Sequence, residues 1–146
     1  MKLSTKGRYG TRAMIDIALY RDSGSTLLKD ISSRQGISLK YLDHILSSLR
    51  KAGLVKNVRG KGGGYSLTRP PSQITLCEII EAVEGSLAPV ECLDDPEYCN
   101  KTCTCSARDV WIKVRQSIED VLRSTTLQSL TESQEQKAGH PGTYAI

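Results

Sequence analysis

The sequence predicts a mainly α protein with a small β-hairpin wing: a winged helix-turn-helix domain plus a long dimerisation helix. Three observations carry this expectation. Short helical patterns separated by capped turns fill residues 7–51. Directly after them the run Gly60-Lys61-Gly62-Gly63-Gly64 separates two strand-like segments. A longer heptad-like pattern occupies residues 107–125, beyond a loop that holds four of the five cysteines.

At 146 residues the chain is one domain, or one compact domain with an appended element. That length supports a hydrophobic core without disulfide staples. With no Phe and one Trp, the core must come from Leu, Ile and Val. No apolar run approaches the roughly 18 to 20 residues of a membrane span, so no membrane partner is expected. The start, MKLSTKGRYG, lacks the apolar region of a secretion signal, which points to the cytoplasm. There thiols stay reduced, and clustered cysteines bind metal or do redox work more often than they form structural disulfides.

The net charge of +4 conceals an asymmetry. Residues 1–69 carry 14 Lys and Arg against 4 Asp and Glu, a net +10, whereas residues 70–146 carry 6 against 12, a net −6. Such a split favours an anionic partner for the first half, nucleic acid foremost.

Taken in order, residues 7–21 place Tyr9, Ala13, Met14, Ile17 and Ala18 at helical spacing, with Arg8 and Arg12 outside the stripe. Those two either touch phosphates or form a solvated face. Ser23-Gly24-Ser25 interrupts the pattern, and Thr26 is positioned to cap a second helix, Leu27 to about Gln35, burying Leu28 and Ile31. Gly36 makes a turn and Ser38 caps a third helix. Its apolar stripe is Leu39, Leu42, Ile45, Leu46 and Leu49, with Lys40, Tyr41, Asp43, His44, Ser47, Arg50 and Lys51 outside. Two short helices joined by a tight turn, the second polar and basic outside, form the helix-turn-helix pattern. Helical hairpins without a DNA role share it, so the next stretch decides.

Gly53 ends the third helix. LVKNVRG then alternates apolar and polar residues, and YSLT resumes as a strand after the glycines, which makes a hairpin with a basic tip. A phosphate-binding P-loop would need Lys followed by Ser or Thr and a helix beginning there, and neither is present. Glycines at a wing tip let backbone amides approach phosphates and leave Arg59 and Lys61 as the reaching side chains.

Pro70-Pro71 closes the wing, and Thr75 with Glu78 forms a capping box. The helix that follows has Leu76, Ile79, Ile80 and Val83 on one face and stops at Gly85. Cys77 beside this stripe reads as a packed core residue rather than a ligand. After the cysteine loop, Ser106 is positioned to cap a helix with Ala107, Trp111, Val114, Ile118, Val121 and Thr125 at heptad spacing. That face fits either a two-helix dimer contact, from Trp111 to Thr125, or packing on its own domain; the dimer is preferred because the first helices already account for a small core. Leu127 and Leu130 extend into a short final helix. The expected division is therefore 1–69 for the DNA-binding module, 70–90 for a connecting helix and 91–106 for the cysteine loop. Residues 107–131 form the dimerisation and final helices, and 132–146 a polar, mobile tail.

Cys92, Cys99, Cys103 and Cys105 admit three readings. Their spacing matches none of the paired patterns of structural zinc sites, and disulfides are unusual in a reducing compartment. Iron–sulfur clusters accept thiolates at variable spacing, so spacing alone ranks iron–sulfur only slightly above zinc. Catalysis is not expected, because neither His44 nor His140 has a nucleophile or carboxylate arrangement around it.

The segments MKLSTKGRYG, ISLKYLDHIL, LVKNVRGKGGGYSLT and ITLCEIIEAVEG closely resemble the Rrf-two family of winged-helix transcription regulators, over roughly residues 1–130. The resemblance is to its IscR-like branch, which carries a three-cysteine loop ahead of the dimerisation helix. It implies that Cys92, Cys99 and Cys105 hold an iron–sulfur cluster. The fourth ligand does not carry over. The branch's histidine, three residues after the last cysteine, is here Arg108. The carboxylate that the nitric-oxide-sensing branch uses near the start of the first helix corresponds to Arg8. Cys103 is the best local replacement, with Asp94, Asp95 or Glu97 as oxygen alternatives, and 2Fe–2S is favoured over 4Fe–4S.

The function so implied is that of a homodimeric DNA-binding regulator, not an enzyme, which senses iron–sulfur status and controls cluster-biogenesis genes. Double-stranded DNA with an inverted-repeat operator is the expected partner. Lys40, Tyr41, Asp43 and His44 would face the major groove, with Ser38 among the DNA-binding residues and Asp43 standing where the IscR-like branch has Glu. Arg59 would enter the minor groove, and Arg50, Lys51, Lys56 and Lys61 would contact phosphates. The alternatives are a nitric-oxide or redox sensor of the same family, a cluster-free regulator of cysteine metabolism controlled by a partner protein, and, from another class, an iron–sulfur electron-transfer protein.

Overall fold

A computed structural model of the chain describes residues 2–60 and 63–139. Six helices and one hairpin follow in the order α1 (Thr5–Leu19), α2 (Leu28–Gln35), α3 (Leu39–Lys51), β1 (Val55–Val58), β2 (Gly64–Leu67), α4 (Leu76–Glu84), α5 (Ser106–Ser124) and α6 (Leu127–Ala138). Helices α2 and α3 form the expected helix-turn-helix, and the antiparallel β1–β2 pair, in register Val55↔Leu67 to Val58↔Gly64, is the wing. Lys61 and His140 lie outside the described residues.

The core sits where α1, α3 and α4 meet the base of the wing. Met14 and Ile17 of α1, Ile31 of α2, and Leu42, Ile45, Leu46 and Leu49 of α3 are fully buried there, with Ile74, Ile79 and Leu127 closing it from the second half of the chain. The turn between α2 and α3 depends on Gly36, whose φ of 65° lies in the left-handed region that costs other residues about 1 kcal/mol or more. Ser38 then caps α3 by accepting the Tyr41 N–H at 3.3 Å. The Thr75–Glu78 capping box forms as expected.

Four local expectations are corrected. Leu39 is not part of the buried stripe: it is 51% exposed, because at about 100° per residue it lies at the edge of the stripe, on the side of exposed Asp43 and Arg50. Thr26 does not cap α2; Leu27 is the N-cap. Thr26 instead pairs as a single-residue third strand, its N–H donating to Tyr65 C=O at 2.9 Å and its C=O accepting the Tyr65 N–H at 2.8 Å. The backbones come so close that a Cβ on Gly64 would stand 2.3 Å from Thr26 O. Ser106 is the first residue of α5 and Cys105 its N-cap, without a side-chain hydrogen bond. Finally, α6 continues through the polar residues to Ala138, held to the body by buried Leu127 and Thr131.

The second half of the chain leaves the body and returns. The Leu76 N–H donates to Thr125 C=O and the Leu127 N–H to Ile74 C=O, both at 2.8 Å, so the end of α5 is fastened beside the start of α4. The two helices therefore run antiparallel. At 1.5 Å per residue, the 9 residues of α4 span about 14 Å and the 19 of α5 about 29 Å. The first half of α5 thus overhangs the end of α4, and the cysteine loop bridges that gap.

Candidate nucleic-acid interface and cysteine loop

Helix α3 presents its outer face to solvent because every apolar residue after its first turn points inward. Ser38, Lys40, Asp43, His44, Arg50 and Lys51 are exposed, as are Lys56 and Arg59 of the wing. Tyr41 is only half-buried: its ring meets Tyr9 edge-on, with centroids 5.8 Å apart. Tyr65 of β2 lies close enough to α3 that Asp43 adds to the rise in its pKa caused mainly by burial, while Arg50 opposes it. The wing and the helix thus share one electrostatic surface. Arg8 and Arg12 both stand over the Tyr9 ring, at 5.6 and 5.5 Å. Arg12 also donates to the Gln35 carbonyl and to Gln35 Oε1, so it braces the helix-turn-helix turn.

That turn is held by a group the sequence reading passed over. Asp16, 1% exposed, accepts from Arg34 Nε at 2.9 Å, Arg34 Nη2 at 2.7 Å and Gln35 Nε2 at 3.0 Å. A bidentate arginine and an amide satisfy the buried carboxylate. The hydrogen bond to Asp16 raises the Arg34 pKa against the opposing effect of burial, and the guanidinium stacks 3.9 Å above the Tyr20 ring. A lone Asp between Ile15 and Ile17, inside an apolar stripe, is the sequence signal that could have found it.

A second long-range contact joins the end of α4 to the start of α1. Glu84 Oε1 accepts the Ser4 N–H at 2.8 Å, the Ser4 hydroxyl at 2.5 Å and the Gly7 N–H at 3.1 Å. In a capping box the N3 glutamate of the same helix takes the N-cap N–H. Here the glutamate comes from another helix, the last residue of α4, seven residues before the cysteine loop begins at Glu91. At the start of α4, Arg69 binds Glu78 at 2.8 Å. Burial alone would raise the Glu78 carboxyl, but the Thr75 N–H and Arg69 outweigh it and hold its pKa below the ordinary value.

In the loop, Cys92 lies half-buried in a 3-10 turn (Glu91–Leu93), Cys99 and Cys103 are exposed, and Cys105 is half-buried at the start of α5. All four are free thiols. The loop is shaped by turns: the Thr102 hydroxyl donates to the carbonyls of Cys99 and Pro96, and the Glu97 N–H to Asp95 Oδ1. Thiolates are the donors that iron–sulfur clusters take, so the donor set fits one in kind. The thiols are not gathered in this conformation, since among the described residues no three His, Cys, Asp or Glu side chains form a metal-binding group. Asp94, Asp95 and Glu97 are exposed. Arg108 is half-buried, with a Nε that is shielded and unpartnered. Cys77 stands apart from the loop: burial, then a hydrogen bond to Glu81 at 3.4 Å, pushes its thiol up to about 11.

Residues 3–133 match the family model described as Rrf2, iron-dependent transcriptional regulator. The chain belongs to the Rrf2 family. It is 45% identical to the transcriptional regulator CymR of Bacillus subtilis over 130 residues, covering 89% of each protein. It is 43% identical to the regulator IscR of Xenorhabdus nematophila over 135 residues, covering 92% of this chain and 82% of that one. Among solved structures, T. potens IscR superposes with a TM-score of 0.77 at 42% identity, covering 94% of this chain and 90% of that one. CymR, the global cysteine regulator of B. subtilis, gives 0.76 at 42% identity, with 91% and 98% covered. This Rrf2 protein is accordingly a winged-helix, DNA-binding transcription regulator, and its relatives are regulators rather than enzymes. Among the described residues no helix is long and apolar enough to cross a membrane.

Proposed function

We propose that this regulator acts as a homodimer on inverted-repeat DNA, and that its cysteine loop holds an iron–sulfur cluster, of 2Fe–2S type, whose presence sets expression of cluster-biogenesis genes. Cys92, Cys99 and Cys105 are the proposed ligands, with Cys103 as the fourth. When bound, such a cluster supplies one-electron chemistry and sensitivity to oxidants. The observation that carries the reading is where the four thiols lie. They occupy the one segment joining α4, whose Glu84 caps α1, to the overhanging half of α5.

The chain's own residues provide the rest. Helix α5 has no buried residue, and Val110, Trp111 and Val121 are 51%, 40% and 64% exposed. A second copy of the helix, packed along Trp111, Val114, Ile118 and Val121, would cover that face. Two α3 helices would then meet successive major grooves about 34 Å apart. Ser38, Lys40, Asp43 and His44 face the bases, with Tyr41 contributing its outer edge. Asp43 accepts from a cytosine N4 amine. Arg59 enters the minor groove, and Arg50, Lys51, Lys56 and Lys61 bind phosphates. The segment from Cys92 to Cys105 sets where the start of α5 stands relative to α4, and Glu84 passes that position to α1.

The test compares DNA binding by anaerobically prepared and air-exposed protein, using DNA selected by the protein from a random pool. The wild type should change affinity or site preference between the two preparations, and Cys92→Ala, Cys99→Ala and Cys105→Ala should each abolish that change. Equal binding of every site by both preparations would refute the coupling. A second reading, a cluster-free regulator of cysteine metabolism controlled by a partner protein, is favoured by the similarity to CymR. It predicts binding indifferent to all four loop cysteines.

A further inference from the structure

Leu39 is the first residue of α3 and is 51% exposed, whereas Leu42, Ile45, Leu46 and Leu49 of the same helix are buried. A single exposed leucine needs no explanation by itself; the place of this one does. It shares the solvent face with Lys40, Asp43 and His44, which are also exposed, and it is the apolar member of that group. Helical side chains lean toward the N-terminus, so Leu39 projects from the leading end of the helix, whose first residues contact base edges in helix-turn-helix proteins. The apolar feature of a major-groove edge is the thymine C5-methyl group.

We propose that Leu39 is a specificity residue that packs on the C5-methyl of one thymine in each half-site. The proposal rests on α3 being the recognition helix. Leu39 and Asp43 stand one helical turn apart, about 6 Å. At 3.4 Å per base pair that places the thymine within about two base pairs of the base that Asp43 reads. Contact with the methyl removes from water an area comparable to one buried methylene, about 0.8 kcal/mol. That energy is about fourfold in affinity per half-site.

The experiment replaces each thymine of the selected operator, one at a time, by deoxyuridine, which lacks only the methyl group. For the wild type, one position per half-site should weaken binding about fourfold. For Leu39→Ala, an exposed and helix-compatible change, the same replacement should have no effect. If no deoxyuridine affects the wild type, or if the penalty persists in Leu39→Ala, the proposal is overturned. Lys40→Ala and Asp43→Ala are measured beside it. If both leave affinity and base preference unchanged, the recognition-helix reading fails and takes the proposal with it. If Asp43→Ala alters base preference while the uracil scan is silent, only the role of Leu39 fails.

Discussion

Replacing Glu84 by Ala removes a carboxylate that accepts three hydrogen bonds at the start of α1, from Ser4 N, Ser4 Oγ and Gly7 N. Fully buried bonds to a charge would be worth about 1.5–3 kcal/mol each. This site is only partly buried, and the freed donors can turn to water, so the loss of a helix cap is the better guide, about 1 kcal/mol. Removing a negative charge from a helix N-terminus adds about 0.3–1 kcal/mol. Ser4 Oγ still accepts the Lys6 N–H at 3.2 Å, so part of the cap survives. The expected loss is about 1–2 kcal/mol. Glu84→Gln keeps an acceptor and should lose about half as much. The assay is urea unfolding at one fixed protein concentration, because the stability of the proposed dimer would depend on concentration. With a slope of about 2 kcal/mol per molar urea, the midpoint should fall by about 0.5–1 M for Glu84→Ala. A shift below about 0.2 M would refute the claim that this carboxylate caps α1.

Other outcomes follow from the same geometry. Asp16→Ala leaves Arg34 and Gln35 without their acceptor; removing one partner of a buried pair costs about 3–5 kcal/mol, and because Arg34 stays one-third exposed about 2 kcal/mol is expected in the same assay. Cys77, with its thiol near 11, should resist alkylation at neutral pH while the four loop thiols of metal-free protein react. The site should become labelled on unfolding or as pH rises toward 11, and fast native labelling read by mass spectrometry would contradict its burial. Lys56→Ala or Lys61→Ala should each lower the slope of log K against log salt by about one. An unchanged slope would remove that residue from the phosphate contacts.

Features built from neighbours in sequence were legible beforehand. The Ser38 cap and the Thr75–Glu78 box each close within one helical turn, and the buried positions of α1, α3 and α4 repeat at helical spacing. Long-range partners leave no such trace. Thr26 stands where a helix cap is expected because nothing near it announces Tyr65, and nothing near Glu84 announces Ser4, 80 residues away. Leu39 falls on the apolar stripe by spacing, yet spacing does not say how wide a stripe the core covers. The extension of α6 to Ala138 was missed because residues 132–138 carry no apolar period. The cysteine loop was legible as a set of donors and not as an arrangement, since a loop has no period from which a geometry can be read.

The iron and sulfide content and the visible absorption of anaerobically purified protein test the central proposal most directly. Protein carrying a cluster should be coloured and contain iron and acid-labile sulfide in equal amounts, two of each per chain for the 2Fe–2S type. Colour, iron and sulfide should be lost together in Cys92→Ala, Cys99→Ala and Cys105→Ala. A colourless, iron-free wild-type dimer that still binds its operator would contradict the cluster and leave the partner-controlled regulator standing.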